Sequence, residues 1–182
     1  LGAPSLFDAV ILSFHATKCI HAIEGGAILT NDAGLAPRLR LMVTFGFVTE
    51  DTVTDLGTNG NLTEASAAMG LTSLETRHDV FAHNQRNSER YAGNLADVPG
   101  VRVMDRGLSE RECHNYQYVV VEVDQTDSGL SRDELVGALR FENVYARRYF
   151  YPGCHRMEPY KTKFSGRPTR LPVTEAVSSR VM

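Results

Sequence analysis

Ser13-Phe14-His15-Ala16-Thr17-Lys18, followed by Glu24-Gly25-Gly26, is the stretch on which the fold reading turns. The run Asp8 to Phe14 reads as a short buried strand, and Gly26 to Thr30, after the glycine pair, as a second one. A lysine just past a strand end, bracketed by a serine and a threonine, can present an amine to a phosphate-bearing aldehyde cofactor. The amine must be partly desolvated to lose its proton. Ser13 could then donate to a phosphate oxygen, and Gly25-Gly26 would let backbone approach a planar ring where a Cβ would collide. On spacing alone the plainer reading, a solvated lysine after a strand, stands beside this one.

Outward from that stretch, the composition is that of a soluble globular chain: 182 residues, 42% hydrophobic and 23% charged, with 19 Lys and Arg against 22 Asp and Glu for a net charge of −3. A chain of this size can bury one sizeable core, or one core plus a small appendage, without disulfides or metal. Basic residues scattered singly on a slightly acidic chain give no positive field for nucleic acid or a membrane surface, so neither is expected as a partner. No apolar run approaches the ~20 residues that cross a bilayer. The first residues have neither a basic nor an extended apolar region to read as a secretory signal. Cys19, Cys113 and Cys154 are odd in number and lack C-x-x-C spacing, which suits a reducing compartment and points to the cytoplasm. His15, Cys19 and His21 would alternate sides on an extended segment and lack a fourth ligand, so no metal site is expected.

Asn31 or Asp32 is expected to cap a helix over 33–45. Residues 46–61 read as a loop too long for a plain connection, of the kind that is functional or disordered. Thr63 should cap a long helical pattern that is interrupted near 76–79. After Pro99-Gly100 the rhythm changes, with strands expected at 101–104, 115–123 and 144–147 and a helix over 132–141 capped by Ser131. This succession suggests a small α/β sandwich separable near residue 97. The helical pattern from Val173 runs to Met182 with no capping residue, and the chain opens at Leu1 without an initiator Met, so an internal piece of a longer protein is expected.

The string Ser13 to Lys18 with Glu24-Gly25-Gly26 resembles the cofactor-lysine segment of the DegT/StrS-like sugar aminotransferases, pyridoxal-phosphate enzymes of the aspartate aminotransferase fold (fold type I). Three more segments extend the resemblance in order. They are Gly57-Thr58-Asn59-Gly60-Asn61-Leu62-Thr63-Glu64 with Ala67-Ala68-Met69-Gly70-Leu71, then Arg148 to His155, then Leu171-Pro172-Val173-Thr174-Glu175.

The resemblance implies an α/β fold, with the end of a large cofactor domain (1–97) followed by a small C-terminal α/β domain (98–182). It implies that Lys18 is joined covalently to pyridoxal 5'-phosphate and, once released by the incoming amine, moves the proton. It further implies that Ser13 holds the cofactor phosphate, that Asn59 reaches that phosphate from the other subunit of a homodimer with shared active sites, and that Tyr151 and His155 line a nucleotide-sugar pocket. His15 would touch substrate or merely pack. The implied reaction moves an amino group from glutamate to a keto group on a nucleotide-linked deoxysugar. Read without the family, Asn59 is a left-handed turn residue and His155 a loop histidine. Asn61 stands where the family usually has Arg or Lys. The family's pyridinium-pairing aspartate, ring-stacking aromatic and phosphate-gripping helix precede the lysine segment, so the 182 residues by themselves are expected to be inactive. A dehydratase of the same superfamily would carry His in place of Lys18; a remnant that keeps the fold without the site is the non-enzyme alternative.

Overall fold

The computed structural model describes residues 7–104, 114–165 and 170–182, so Cys113 lies outside the described residues. The architecture is mixed α/β, as expected, and divides into two compact units, residues 1–82 and 83–182. The division falls inside a helix, upstream of the expected boundary at residue 97. Beyond it that helix belongs with the C-terminal unit, where Asn84 Nδ2 donates to the Asn115 carbonyl at 3.1 Å.

In the N-terminal unit, β1 (Val10–Ser13) and β2 (Gly26–Leu29) form an antiparallel pair in which Val10 faces Leu29 and Ser13 faces Gly26. Helix α1 (Leu35–Val43) follows, and Asp32 opens it. Its Oδ1 accepts from the Gly34 and Leu35 amides at 2.7 and 3.0 Å, satisfying donors that the helix itself leaves unpaired. The segment read as a long loop contains a short hairpin, β3 (Phe47–Thr49) and β4 (Thr52–Val53), turned at Glu50-Asp51. The turn residues gave the loop reading its weight, while Phe47, Val48 and Val53 supply enough β-branched and aromatic character to pair. Thr63 caps α2 (Glu64–Glu75), its Oγ1 accepting from the Ser66 amide at 3.1 Å. A break at Thr76 separates α2 from α3 (Arg77–Leu95), so the long helical pattern is two helices.

The C-terminal unit holds the antiparallel pair β5 (Val101–Val103) and β6 (Val121–Val123), a short α4 (Gln125–Ser128), α5 (Arg132–Phe141), α6 (Tyr160–Lys163) and α7 (Pro172–Arg180). Ser131 and Glu134 form a full capping box on α5. Three expectations fail here. The strand expected over 115–123 is confined to its last three residues, because Tyr116 and Tyr118 take φ of 50° and 66°, which no strand tolerates. The strand expected over 144–147 does not form, and Tyr145 is 81% exposed with no ladder partner among the described residues. The last helix ends at Arg180, short of Met182. Val181 turns extended, and Met182 exchanges backbone bonds of 2.9 Å with Val121 in both directions, adding an edge to β6.

Burial is sparse among the described residues of both units. Among the described residues the buried apolar side chains are Ala22 in the N-terminal unit and Val121, Val123, Val136 and Val181 in the other. Ile11 and Ile28, paired across β1 and β2, remain 79% and 45% exposed. Val123→Ala is therefore expected to cost about 2 kcal/mol in chemical unfolding of the full-length protein, through lost burial and the cavity left. Ile11→Ala in this chain alone should stay within about 0.5 kcal/mol. Equal effects would contradict this distribution of burial.

Candidate active site

The loop between β1 and β2 carries Lys18, and backbone bonds close it at its base. The Phe14 amide donates to the Gly25 carbonyl and the Ala22 amide to the Phe14 carbonyl, each at 2.8 Å. Within the loop the Lys18 amide donates to the His15 carbonyl at 2.9 Å, which turns the chain back at the lysine. Ile23 sits at φ 65°, a conformation that costs a β-branched residue on the order of 1–3 kcal/mol and that the flanking bonds hold in place. Ala22 is fully buried, and a Cβ at Gly70 of α2 would approach its methyl to 3.4 Å. The His21 amide donates to Ser73 Oγ on the same helix at 3.0 Å. Helix α2 thus backs the lysine loop.

Lys18 is exposed, so the desolvation expected of its amine is not provided by these residues. Ser13, also exposed, ends β1 opposite Gly26, and its Oγ accepts weakly from the His15 amide at 3.4 Å. Its hydroxyl hydrogen is thereby left to donate elsewhere. His15 is held by its neighbours. Nδ1 accepts from the Thr17 amide at 3.2 Å and lies 2.9 Å from Thr17 Oγ1, while Nε2 faces Glu24 Oε1 at 3.4 Å. An Nδ1 that accepts leaves the hydrogen on Nε2, the nitrogen facing the carboxylate. Thr17 and Glu24, which sequence reading passed over as site residues, set that orientation. A hydroxyl and an amine held near a closed, backed loop fit an aldehyde cofactor that bears a phosphate.

Asn59 does not take the left-handed turn conformation. It pairs as an antiparallel bridge with Thr44 at the end of α1, and the flanking Thr58 and Gly60 amides donate to the Met42 and Val43 carbonyls at 2.8 and 2.9 Å. Gly57 is required there, because a Cβ would lie 2.4 Å from the Gly46 nitrogen. Arg38 fastens the same segment to α1, its Nε donating to Asp55 Oδ2 at 2.9 Å. That bond, with a second from the Leu56 amide, holds the Asp55 carboxyl below its ordinary value of 3.8. Asn61 lines a groove of about 900 Å³ between the β1–β2 pair and α1, whose lining also includes Ile11, Ile28, Arg40 and Val43.

Tyr151 and His155 belong to the C-terminal unit. The Tyr151 ring lies under two guanidinium groups, Arg132 at 4.9 Å and Arg148 at 5.2 Å from its centroid. Arg132 is buried at 2% exposure and donates through Nη1 to the Ser178 and Val181 carbonyls, so the support of Tyr151 is tied to the end of α7. His155 follows Gly153, which takes φ 89°, and its Nε2 lies 3.2 Å from Glu175 Oε1. Neither Arg132 nor Glu175 was identified as a site residue from sequence. Glu175 had a signal, its place in the Leu171 to Glu175 segment. Among the described residues no group of three or more His, Cys, Asp or Glu could hold a metal ion, and no helix is long and apolar enough to cross a membrane.

A family model described as the DegT/DnrJ/EryC1/StrS aminotransferase family matches residues 3–182. The chain is 37% identical over 154 residues to the dTDP-4-amino-4,6-dideoxy-D-glucose transaminase of Shigella dysenteriae, covering 84% of this chain and 41% of that protein. It is 30% identical over 159 residues to the Escherichia coli protein of the same name, covering 87% of this chain and 42% of that one. Among solved structures, DesI in the presence of its TDP-sugar product superposes with a TM-score of 0.84 at 46% identity, over 97% of this chain and 44% of that one. The chain belongs to the DegT/DnrJ/EryC1/StrS aminotransferase family, and its fold is the corresponding part of a fold-type I pyridoxal-phosphate-dependent aminotransferase. It spans about two fifths of the length of the curated relatives it matches.

A pH measurement checks the anchoring of the Asn59 segment. Because the folded Asp55 carboxyl lies below 3.8, its contribution is present above that value and is lost as pH falls through the lower, folded value. Amide signals of Thr54, Thr58 and Gly60 are expected to titrate with a midpoint below 3.8, and Arg38→Ala should shift that midpoint upward. A midpoint unaffected by Arg38→Ala would contradict the pairing.

Proposed function

We propose that these residues form the lysine-bearing and C-terminal portions of a pyridoxal-phosphate-dependent nucleotide-sugar aminotransferase. The enzyme would move an amino group, from glutamate, to the keto group of a nucleotide-linked deoxysugar such as a dTDP-4-keto-6-deoxyhexose. The observation that carries this reading is Lys18 at the turn of a loop closed at its base and backed by α2, five residues after the exposed Ser13 hydroxyl. The family match and the two relatives named as dTDP-amino-sugar transaminases support it.

In this reading Ser13 Oγ donates to the cofactor phosphate and Lys18 Nζ is the covalent anchor. Pyridoxal phosphate, when bound, supplies an electron sink for the bond broken beside the amino group. Lys18 Nζ, once free, takes the proton from the amino-bearing carbon of glutamate and, in the second half of the exchange, delivers a proton to the carbon of the sugar that receives nitrogen. Within this chain the amine is exposed, open to what binds over it. His15, oriented by Thr17 and Glu24, keeps its hydrogen on Nε2 beside the lysine turn. Tyr151 and His155 line the nucleotide-sugar pocket. Asn59 serves the phosphate site of the partner in a homodimer, with its segment pinned to α1 for that purpose. The chain's chemistry suits a reducing cytoplasm.

Lys18→Ala is expected to lower transamination of a dTDP-keto-sugar by at least about a hundredfold, the scale of a lost general acid/base, while the thermal unfolding midpoint stays close to that of the unaltered protein. Retained turnover would overturn the role. The shared site has its own check. Asn59→Ala should weaken cofactor retention, and mixed dimers of Asn59→Ala with Lys18→Ala subunits should recover activity, because one of their two sites carries neither lesion. Demonstrated mixed dimers with no recovered activity would contradict it.

A further inference from the structure

The Leu171-Pro172-Val173-Thr174-Glu175 segment has no task in the proposed reaction, yet its last residue holds one of the proposed pocket residues. Glu175, in the first turn of α7, takes three contacts on one oxygen. Oε1 lies 3.2 Å from His155 Nε2 and accepts from Arg156 Nη2 at 2.7 Å and Nε at 3.2 Å. All three residues lie in the C-terminal unit, where the His155 side chain is 9% exposed and that of Glu175 32%.

Elementary chemistry fixes the histidine's state. The bonds from Arg156 and His155 hold the Glu175 carboxyl below its ordinary value of 4.5, so it is ionised near neutral pH, and an ionised carboxylate only accepts. Nε2 must therefore carry the hydrogen. In the neutral imidazole a hydrogen on Nε2 leaves the other ring nitrogen, Nδ1, without one. Nδ1 is then a bare acceptor, and among the described residues it has no hydrogen-bond partner. A Cβ at Gly153 would lie 3.2 Å from His155 Cε1 and 3.3 Å from Nδ1, so the absence of a side chain there keeps that edge of the ring clear.

We propose that Glu175 is the positioning residue of His155, locking the imidazole in the Nε2–H tautomer so that Nδ1 accepts a hydrogen bond from a hydroxyl of the sugar substrate. The proposal rests on the reading of His155 as a residue of the nucleotide-sugar pocket. It adds which ring nitrogen meets the substrate, what chemical group it meets, and which carboxylate sets that choice.

Two-bond proton–nitrogen correlation spectra of the full-length protein, labelled with ¹⁵N-histidine, read the tautomer directly, with His155 assigned by the signals lost in His155→Gln. The Nε2–H pattern is expected in the unaltered protein. Glu175→Leu should mix the tautomers, and Glu175→Gln, whose amide oxygen still accepts, should restore the pattern. In kinetics, Glu175→Leu is expected to raise KM for the nucleotide sugar about tenfold, the scale of one lost oriented hydrogen bond, with kcat changed less than about threefold, and Glu175→Gln to recover most of that loss. A merely structural glutamate would lower the unfolding midpoint without this split. An Nδ1–H pattern in the unaltered protein, a pattern unmoved by Glu175→Leu, or an unchanged KM in that variant would each overturn the proposal. Should Glu175→Leu fail to fold, the tautomer of the unaltered protein still decides it. An unaltered protein inert toward nucleotide sugars would sink the proposed reaction instead, and the spectra would still decide whether Glu175 sets the tautomer.

Discussion

The lysine loop of the N-terminal unit depends on Phe14. Its amide and its carbonyl are both engaged, by Gly25 and Ala22, and those two bonds convert a stretch of some dozen residues into a closed loop with Lys18 at its turn. Closure has a cost, visible in Ile23 at positive φ. It is sustained because Ala22 is buried against Gly70 and the His21 amide reaches Ser73, so the loop is tied to a capped helix as well as to its own strands. A lysine on an untied loop would lose positional entropy each time it met a partner; here much of that ordering is done in the fold.

The C-terminal unit meets the same need with side chains. Arg132 and Glu175 contact the two proposed pocket residues, one lying over the Tyr151 ring while bonded to the end of α7, the other meeting His155 from that helix's first turn. Both ends of α7 therefore bear on the pocket, and the extended Val181-Met182 joins the helix to β6. In the proposed scheme α7 supports recognition, although none of its residues carries the reacting groups.

How much of this was legible in sequence follows from the range of the interactions. Helices opened by Thr63 and Ser131 announced themselves because a cap acts over three residues, and Asp32 did so for the same reason. The strand expected over 115–123 misled because tyrosine and valine carry strand preference whatever their φ, and nothing local reveals that Tyr116 and Tyr118 turn left-handed. The end of the last helix was misjudged because its stop is set by pairing with Val121, far away in the chain. In the site, Ser13 and Lys18 stood out through their motif, and Thr17 and Glu24 lay inside it unused. The links from Glu175 to His155 and from Arg132 to Ser178 span 20 and 46 positions, and no spacing rule points to them.

The central claim is that the amine of Lys18 is the one that joins the cofactor. Incubating the full-length protein with pyridoxal phosphate, reducing with borohydride and mapping the peptides by mass spectrometry tests it most directly. The proposed function predicts the reduced cofactor on Lys18; a label found instead on Lys161, Lys163 or any other lysine, with Lys18 unmodified, would contradict it.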